Sequence, residues 1–81
     1  MSSRLRYAYP MNQLWHKETR YYQVRLEQDL FGFWVVTRVW GRRGTRRGQI
    51  RTEKVSSPAQ GLLLLEEIGA VRTQHGYTRV Q

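Results

Sequence analysis

The clearest signal in the chain is an alternation over residues 20–28, where Tyr22, Val24 and Leu26 take one parity and Tyr21, Gln23, Arg25 and Glu27 the other. A period of two sends successive side chains to opposite faces, so this segment predicts a half-buried antiparallel strand. Asp29-Leu30-Phe31-Gly32 supplies a turn with a glycine at its end, and residues 33–40 return as a strand dense in aromatic and β-branched side chains. Residues 48–55 predict a third strand, with Ile50 and Thr52 facing the core while Gln49, Arg51 and Glu53 face water. These strands make two hairpins in succession. A short edge strand over residues 14–17, with Trp15 as a lid on the core, and a last edge strand over residues 77–80 complete the expected sheet.

The period then changes. Ser57-Pro58-Ala59-Gln60 reads as a helix start: Ser57 can cap free N–H groups, Pro58 suits the first helical position, and Gln60 can reach back as in a capping box. The helix should run to about His75 and stop at Gly76. Gly61, Leu64, Leu65, Ile68, Val71 and Arg72 share the side expected to lie on the sheet, and Gly61 would let the helix approach the strands closely. Leu62, Leu63, Gly69 and Ala70 stand opposite, beside Glu66 and Thr73. That side is more apolar than a solvated face needs, and it offers a surface for a homodimer or a partner protein. The pattern as a whole predicts an α+β fold: a small twisted antiparallel sheet of about four to five strands with one helix packed on it. Residues 14–81 are expected to form the single domain, and residues 1–13 a partly flexible N-terminal segment.

Composition narrows the function. A chain of 81 residues has room for one small core and no deep cleft. The absence of cysteine removes disulfides and thiolate zinc sites, so burial must hold the fold alone. The longest apolar run, residues 62–65, is far too short to span a bilayer, and no signal peptide precedes the first strand; a soluble cytoplasmic protein is expected. No catalytic set is legible. His16 and His75 are isolated, the six carboxylates show no motif spacing, and Gly41-Arg42-Arg43-Gly44 lacks the Gly-Lys-Ser/Thr ending of a P-loop. The expectation is a protein that is not an enzyme and carries no metal or cofactor.

The formal charge of +8 and a pI near 10.9 change the picture more than anything else, because they point to a polyanionic partner. Arginine, whose planar fork grips phosphate bidentately and stacks on aromatic rings, supplies twelve of the fourteen basic side chains. Its density peaks over residues 38–51, where Arg38, Arg42, Arg43, Arg46, Arg47 and Arg51 meet only Glu53 in opposition. Arg38 and Trp40 share a strand face that Arg42 continues if the strand persists, and Gly41, Gly44 and Gly48 let the loop backbone approach a ligand. The same residues could form a solvated hairpin tip that protects a sheet edge. Concentrated like charge argues against that, because self-repulsion favours mixed signs on a purely structural hairpin. The candidate nucleic-acid-binding residues are therefore Arg38, Trp40, Arg42, Arg43, Arg46, Arg47, Gln49 and Arg51.

With Trp40-Gly41-Arg42, then Gly44-Thr45 and Gly48-Gln49 in view, the chain resembles the WGR domain, named for that tripeptide. The resemblance runs from about Arg20 to Tyr77 and takes in the Tyr-rich first strand, Arg38, the helix after the third strand and the Gly76-Tyr77 end. It is closest to short bacterial proteins made of a WGR domain and little else. The resemblance implies a small antiparallel sheet crossed by one helix, and nucleic-acid binding. In DNA-dependent poly(ADP-ribose) polymerases this domain contacts DNA near a strand break and relays the contact to a catalytic region. Carried over by position, Trp40 would pack on a sugar or terminal nucleotide, and Arg42 would engage DNA or a neighbouring domain. This chain has no such catalytic region, and Arg43 stands where the family usually has Ile or Val. DNA is the expected partner ahead of RNA, although stacking on Trp40 would serve RNA or single strands equally well. The competing reading is a protein-interaction adaptor that uses the outer helix face or a sheet edge.

Overall fold

The computed structural model describes residues 11–46 and 48–81; Arg47 and the N-terminal segment through Pro10 lie outside them. Five strands and a helix follow in the order β1 (Met11–Lys17), β2 (Arg20–Gln28), β3 (Trp34–Arg42), β4 (Gly48–Val55), α1 (Pro58–Gln74) and β5 (Thr78–Arg79). The strands pair antiparallel in the order β4-β3-β2-β1-β5, and α1 packs on one face. The α+β expectation is borne out. Two bounds differ from it. β1 starts at Met11 and is interior, because Thr78 and Arg79 of β5 pair with its His16 and Trp15. β3 runs past Trp40, so Gly41 and Arg42 pair with Tyr21 and Arg20 of β2.

The period of two decides what β2 buries, while β3 buries Val35, Val36 and Thr37 in succession. Tyr22, Val24 and Leu26 of β2 join Val36 of β3, Trp15 of β1, and Leu65 and Ile68 of α1 in one core cluster. At the β2–β3 turn the Asp29 carboxylate accepts hydrogen bonds from the backbone N–H groups of Phe31 and Phe33, both at 2.9 Å. This side chain stands in for a backbone acceptor and fixes the tip. Leu30 and Phe31 are left 99% and 84% exposed.

The helix ends behave as their residues dictate. The Ser57 hydroxyl accepts from the Gln60 backbone N–H at 3.1 Å, and Pro58 occupies the first turn. At the other end Gly76 takes φ +87°, so that its N–H reaches the Thr73 carbonyl and the Tyr77 N–H reaches the Arg72 carbonyl. This Schellman closure needs a left-handed residue, which glycine provides without steric cost. It also folds Tyr77 back toward the sheet.

The helix phase corrects part of the sequence reading. The buried stripe is Gly61, Leu65, Ile68 and Gly69, with Leu62 and Leu64 packed against the core and Val71 40% exposed. Gly69 is inside because the Trp15 indole fills the space beside it: a Cβ there would stand 3.0 Å from Trp15 Cζ2. The expected association surface of Leu62, Leu63, Gly69 and Ala70 is therefore not one face; only Leu63 and Ala70 of that set are exposed. β4 is corrected as well. Val55 pairs with Trp34 on the helix side, so Gln49, Arg51 and Glu53 share that side, while Ile50, 67% exposed, and Thr52 lie on the far face. A one-residue difference in register turns every side chain over, and Val55 packing on the core sets this register.

Candidate nucleic-acid interface

Because β3 persists through Arg42, Arg38, Trp40 and Arg42 form one row on the helix side, opposite Val24, Tyr22 and Arg20 of β2. The C-terminal end of α1 reaches Tyr22, where Arg72 lies over the ring, and the strand ends carrying Arg20 and Arg42 continue beyond it. The row therefore splits. Arg38 sits beside the helix with its side chain 21% exposed and donates from Nη2 to Glu53 Oε1 at 3.3 Å, so its charge is answered within the fold. Arg42 is exposed.

Trp40 is held from one side. Its ring stacks on Tyr22 at 5.6 Å between centroids and 17° between planes. Tyr22 in turn lies under the Arg72 guanidinium at 4.3 Å and meets Tyr77 edge-on at 6.2 Å. Such contacts each add of order 0.5–1.5 kcal/mol beyond area burial and fix ring orientation. Lys17 steadies the same corner, donating to the His75 carbonyl at the helix end at 2.7 Å, with its ammonium 5.9 Å from the Tyr77 centroid.

The indole, so fixed, borders a concavity of about 260 Å³ that Thr19, Arg20, Gly41, Arg42 and Tyr77 complete. A second hollow, of about 530 Å³, adjoins it through Arg20 and Tyr77 and is lined further by Lys17, Glu18, Arg72 and His75. Arg20 and Arg42 are directly opposed in register, and among the described residues neither has a carboxylate partner. Like charges facing each other across a strand pair destabilise a sheet. An anion seated between them removes that penalty, and an aromatic wall beside it suits a sugar or base.

The remaining candidates scatter. Arg43 is drawn back to the β1–β2 turn: its backbone N–H donates to the Thr19 carbonyl at 2.6 Å and Nη1 donates to the Glu18 carbonyl at 3.1 Å. Arg46 is exposed on the β3–β4 loop, whose turn is closed by Thr45 bonding the Arg42 carbonyl through both its backbone N–H and its hydroxyl. Gln49 and Arg51 are exposed on the helix side of β4, beside Trp40 and Arg38. Arg47 lies outside the described residues.

A family model described as the WGR domain matches residues 7–81. The chain belongs to the WGR domain family. No curated protein and no solved structure matches it. The WGR domain is known as a nucleic-acid-binding module, a binding domain and not a catalytic one. Its defining tripeptide, Trp40-Gly41-Arg42, is here the strand end that walls the smaller concavity.

Arg20, Lys17, Arg72 and Tyr77, which line these two hollows of the WGR domain, were not among the candidates read from the sequence. For Arg20 the signal was present: it is one step back in the row Tyr22, Val24, Leu26 and so had to share their face. Tyr77 follows the helix-stopping Gly76, and a Schellman closure returns that residue toward the last turn. Arg72 had been expected on the sheet side of α1, and it lies there over Tyr22 and Tyr77; Lys17 carried no comparable signal, because only the pairing of β1 with β2 brings it to Tyr77.

Proposed function

We propose that this WGR domain binds DNA at ends or breaks, without catalysis of its own, through phosphate and sugar contacts with little base specificity. The observation that carries the reading is Trp40: backed by Tyr22, it borders a hollow in which Arg20 and Arg42 face each other with no carboxylate partner among the described residues. In the bound state a phosphate lies between these guanidinium groups and the terminal sugar or nucleotide covers the indole. Tyr77 closes the far wall. Arg46 tracks the adjoining backbone, and Arg51 and Gln49 extend the row along β4. Little base specificity is supported by the placement of the basic groups on strands and a loop while α1 packs on the sheet. An interrupted strand offers a free sugar face that an intact duplex withholds. The absence of cysteine accords with a reducing, cytoplasmic setting.

The test is a fluorescence titration against blunt, nicked, intact circular and single-stranded DNA over a range of salt. Tighter binding to blunt and nicked duplex than to the intact circle, with a linear log–log salt dependence, supports the reading; equal affinity for all four removes end recognition. One observation favours the adaptor reading instead, the nearly complete exposure of Leu30 and Phe31 on a braced turn. An apolar contact there would be almost insensitive to salt, which separates the two readings.

A further inference from the structure

β4 is an outer strand. Along one side it pairs with β3 at every position from Gly48 to Val55, and its other side meets no strand among the described residues. Natural sheets guard such edges with proline, bulges, short length or charged side chains; β4 is eight residues long, its sequence GQIRTEKV contains no proline and its register with β3 is unbroken, so its charges, Arg51, Glu53 and Lys54, are its only guard. The opposite edge, β5, is only two residues long.

We propose that the β4 edge is a homodimer interface, in which two copies of this chain pair antiparallel about a two-fold axis at Thr52. In that register Thr52 faces its own copy, Arg51 faces the partner's Glu53, Ile50 faces the partner's Lys54, and Gln49 faces the partner's Val55. Charge selects it. A two-fold axis at Arg51 sets arginine against arginine, and one at Glu53 sets glutamate against glutamate; either arrangement is destabilising across a strand pair. The axis at Thr52 instead forms the Arg51–Glu53 pair twice. Both groups are free to make it: Arg51 has no carboxylate partner among the described residues, and Glu53, its side chain 43% exposed, commits only Oε1 to Arg38.

The helix side adds to the seam. A groove of about 340 Å³ runs between β4 and α1, bordered by Glu53, Val55, Gln60, Leu63 and Glu67. A two-fold axis perpendicular to the sheet keeps both helices on one side, so the two grooves adjoin, each with a Leu63 that is 53% exposed in the single chain. Glu67 borders the same groove as Glu53 and adds to the negative charge beside the seam. Pairing the edges satisfies backbone groups that otherwise depend on water and continues the five strands into a sheet of ten. The arrangement is isologous and closes on itself, so it stops at a dimer.

Sedimentation equilibrium of the chain without nucleic acid, at up to about 1 mM protein to reach weak affinities, tests this independently of any DNA reading. The expected result is a monomer–dimer equilibrium that Arg51→Glu weakens at least about tenfold with circular dichroism unchanged. Cross-linking supplies the register. The chain has no native cysteine, and Thr52→Cys should oxidise rapidly to a covalent dimer. Ile50→Cys should not, because its two copies lie four residues apart along the seam, about 13 Å, well past disulfide reach. A wild-type monomer throughout the concentration range overturns the proposal. So does a dimer that survives Arg51→Glu and is lost on Leu30→Asp, and so does cross-linking of Ile50→Cys as fast as Thr52→Cys.

Discussion

Replacing Gly61 by alanine probes the contact that sets the helix on the sheet. At an open helical position this change stabilises a protein by about 1 kcal/mol, because alanine loses less conformational freedom on folding. Here the new Cβ would stand 3.0 Å from Leu26 Cδ2 and 3.2 Å from Cγ, and closer still to Cδ1. Leu26 is 0% exposed and cannot swing aside. Overpacking of a dense core costs about 1–3 kcal/mol, so the net result is a loss of up to about 2 kcal/mol once the helix term is subtracted. For a domain of this size that lowers the melting temperature by up to roughly 15 °C. Urea unfolding followed by tryptophan fluorescence reads it directly, and a second variant gives the cause. Leu26→Val frees space at the clash, so Gly61→Ala combined with Leu26→Val should be less destabilised than the sum of the two by about 1 kcal/mol. A rise in stability for Gly61→Ala, or strict additivity of the pair, would refute the close approach of α1 to β2.

Other perturbations test separate joints. Ile68→Ala, at a site 6% exposed, should cost about 2–5 kcal/mol in the same urea assay, whereas Leu63→Ala, at 53% exposure, should cost under about 1 kcal/mol; equal losses would contradict the helix phase. Ser57→Ala removes the cap on Gln60 and should lower stability by about 0.5–2 kcal/mol without altering DNA affinity. On the nucleic acid, Arg46→Ala should make the log–log salt slope shallower by about one unit. Arg43→Ala should leave the slope nearly unchanged, because its guanidinium is engaged with the Glu18 carbonyl. If the two variants change the slope equally, Arg43 reaches phosphate after all.

Much of the scaffold was legible because two periods dominate this chain. The row Tyr22, Val24, Leu26 fixed β2 and its buried face, and Ser57-Pro58 and Gly76 marked both ends of α1. β4 was harder. Ile50 is the most hydrophobic residue in its first half and invites an inward reading, yet Val55 is the side chain that reaches the core, and at period two both cannot. Gly69 was misread for a related reason: a leucine-based helical phase carries no information about the bulk of Trp15, residues away on β1, which only a glycine admits. The site was half legible. Trp40 and Arg42 carry their own signature, but the walls opposite them depend on strand register and on a helix terminus, both of which are long-range. Charge density alone also carried no information about the partners of Arg38 and Arg43, which the fold engages with the Glu53 carboxylate and the Glu18 backbone carbonyl.

In the proposed complex Trp40, backed by Tyr22, covers a nucleotide at an interrupted strand while arginines neutralise phosphates around it. Its most direct measurement is the salt-dependent affinity of wild type and Trp40→Ala for nicked duplex and for the intact circle, with folding verified by circular dichroism. With about four to six phosphates neutralised, the wild-type slope should be roughly −4 to −5. Loss of the indole should weaken binding to the nicked duplex by about 1–3 kcal/mol with that slope nearly unchanged, since stacking releases no counterions, and the preference over the intact circle should fall with it. A folded Trp40→Ala variant that keeps wild-type affinity and wild-type preference for the nick would contradict the account and leave the tryptophan as part of the core alone.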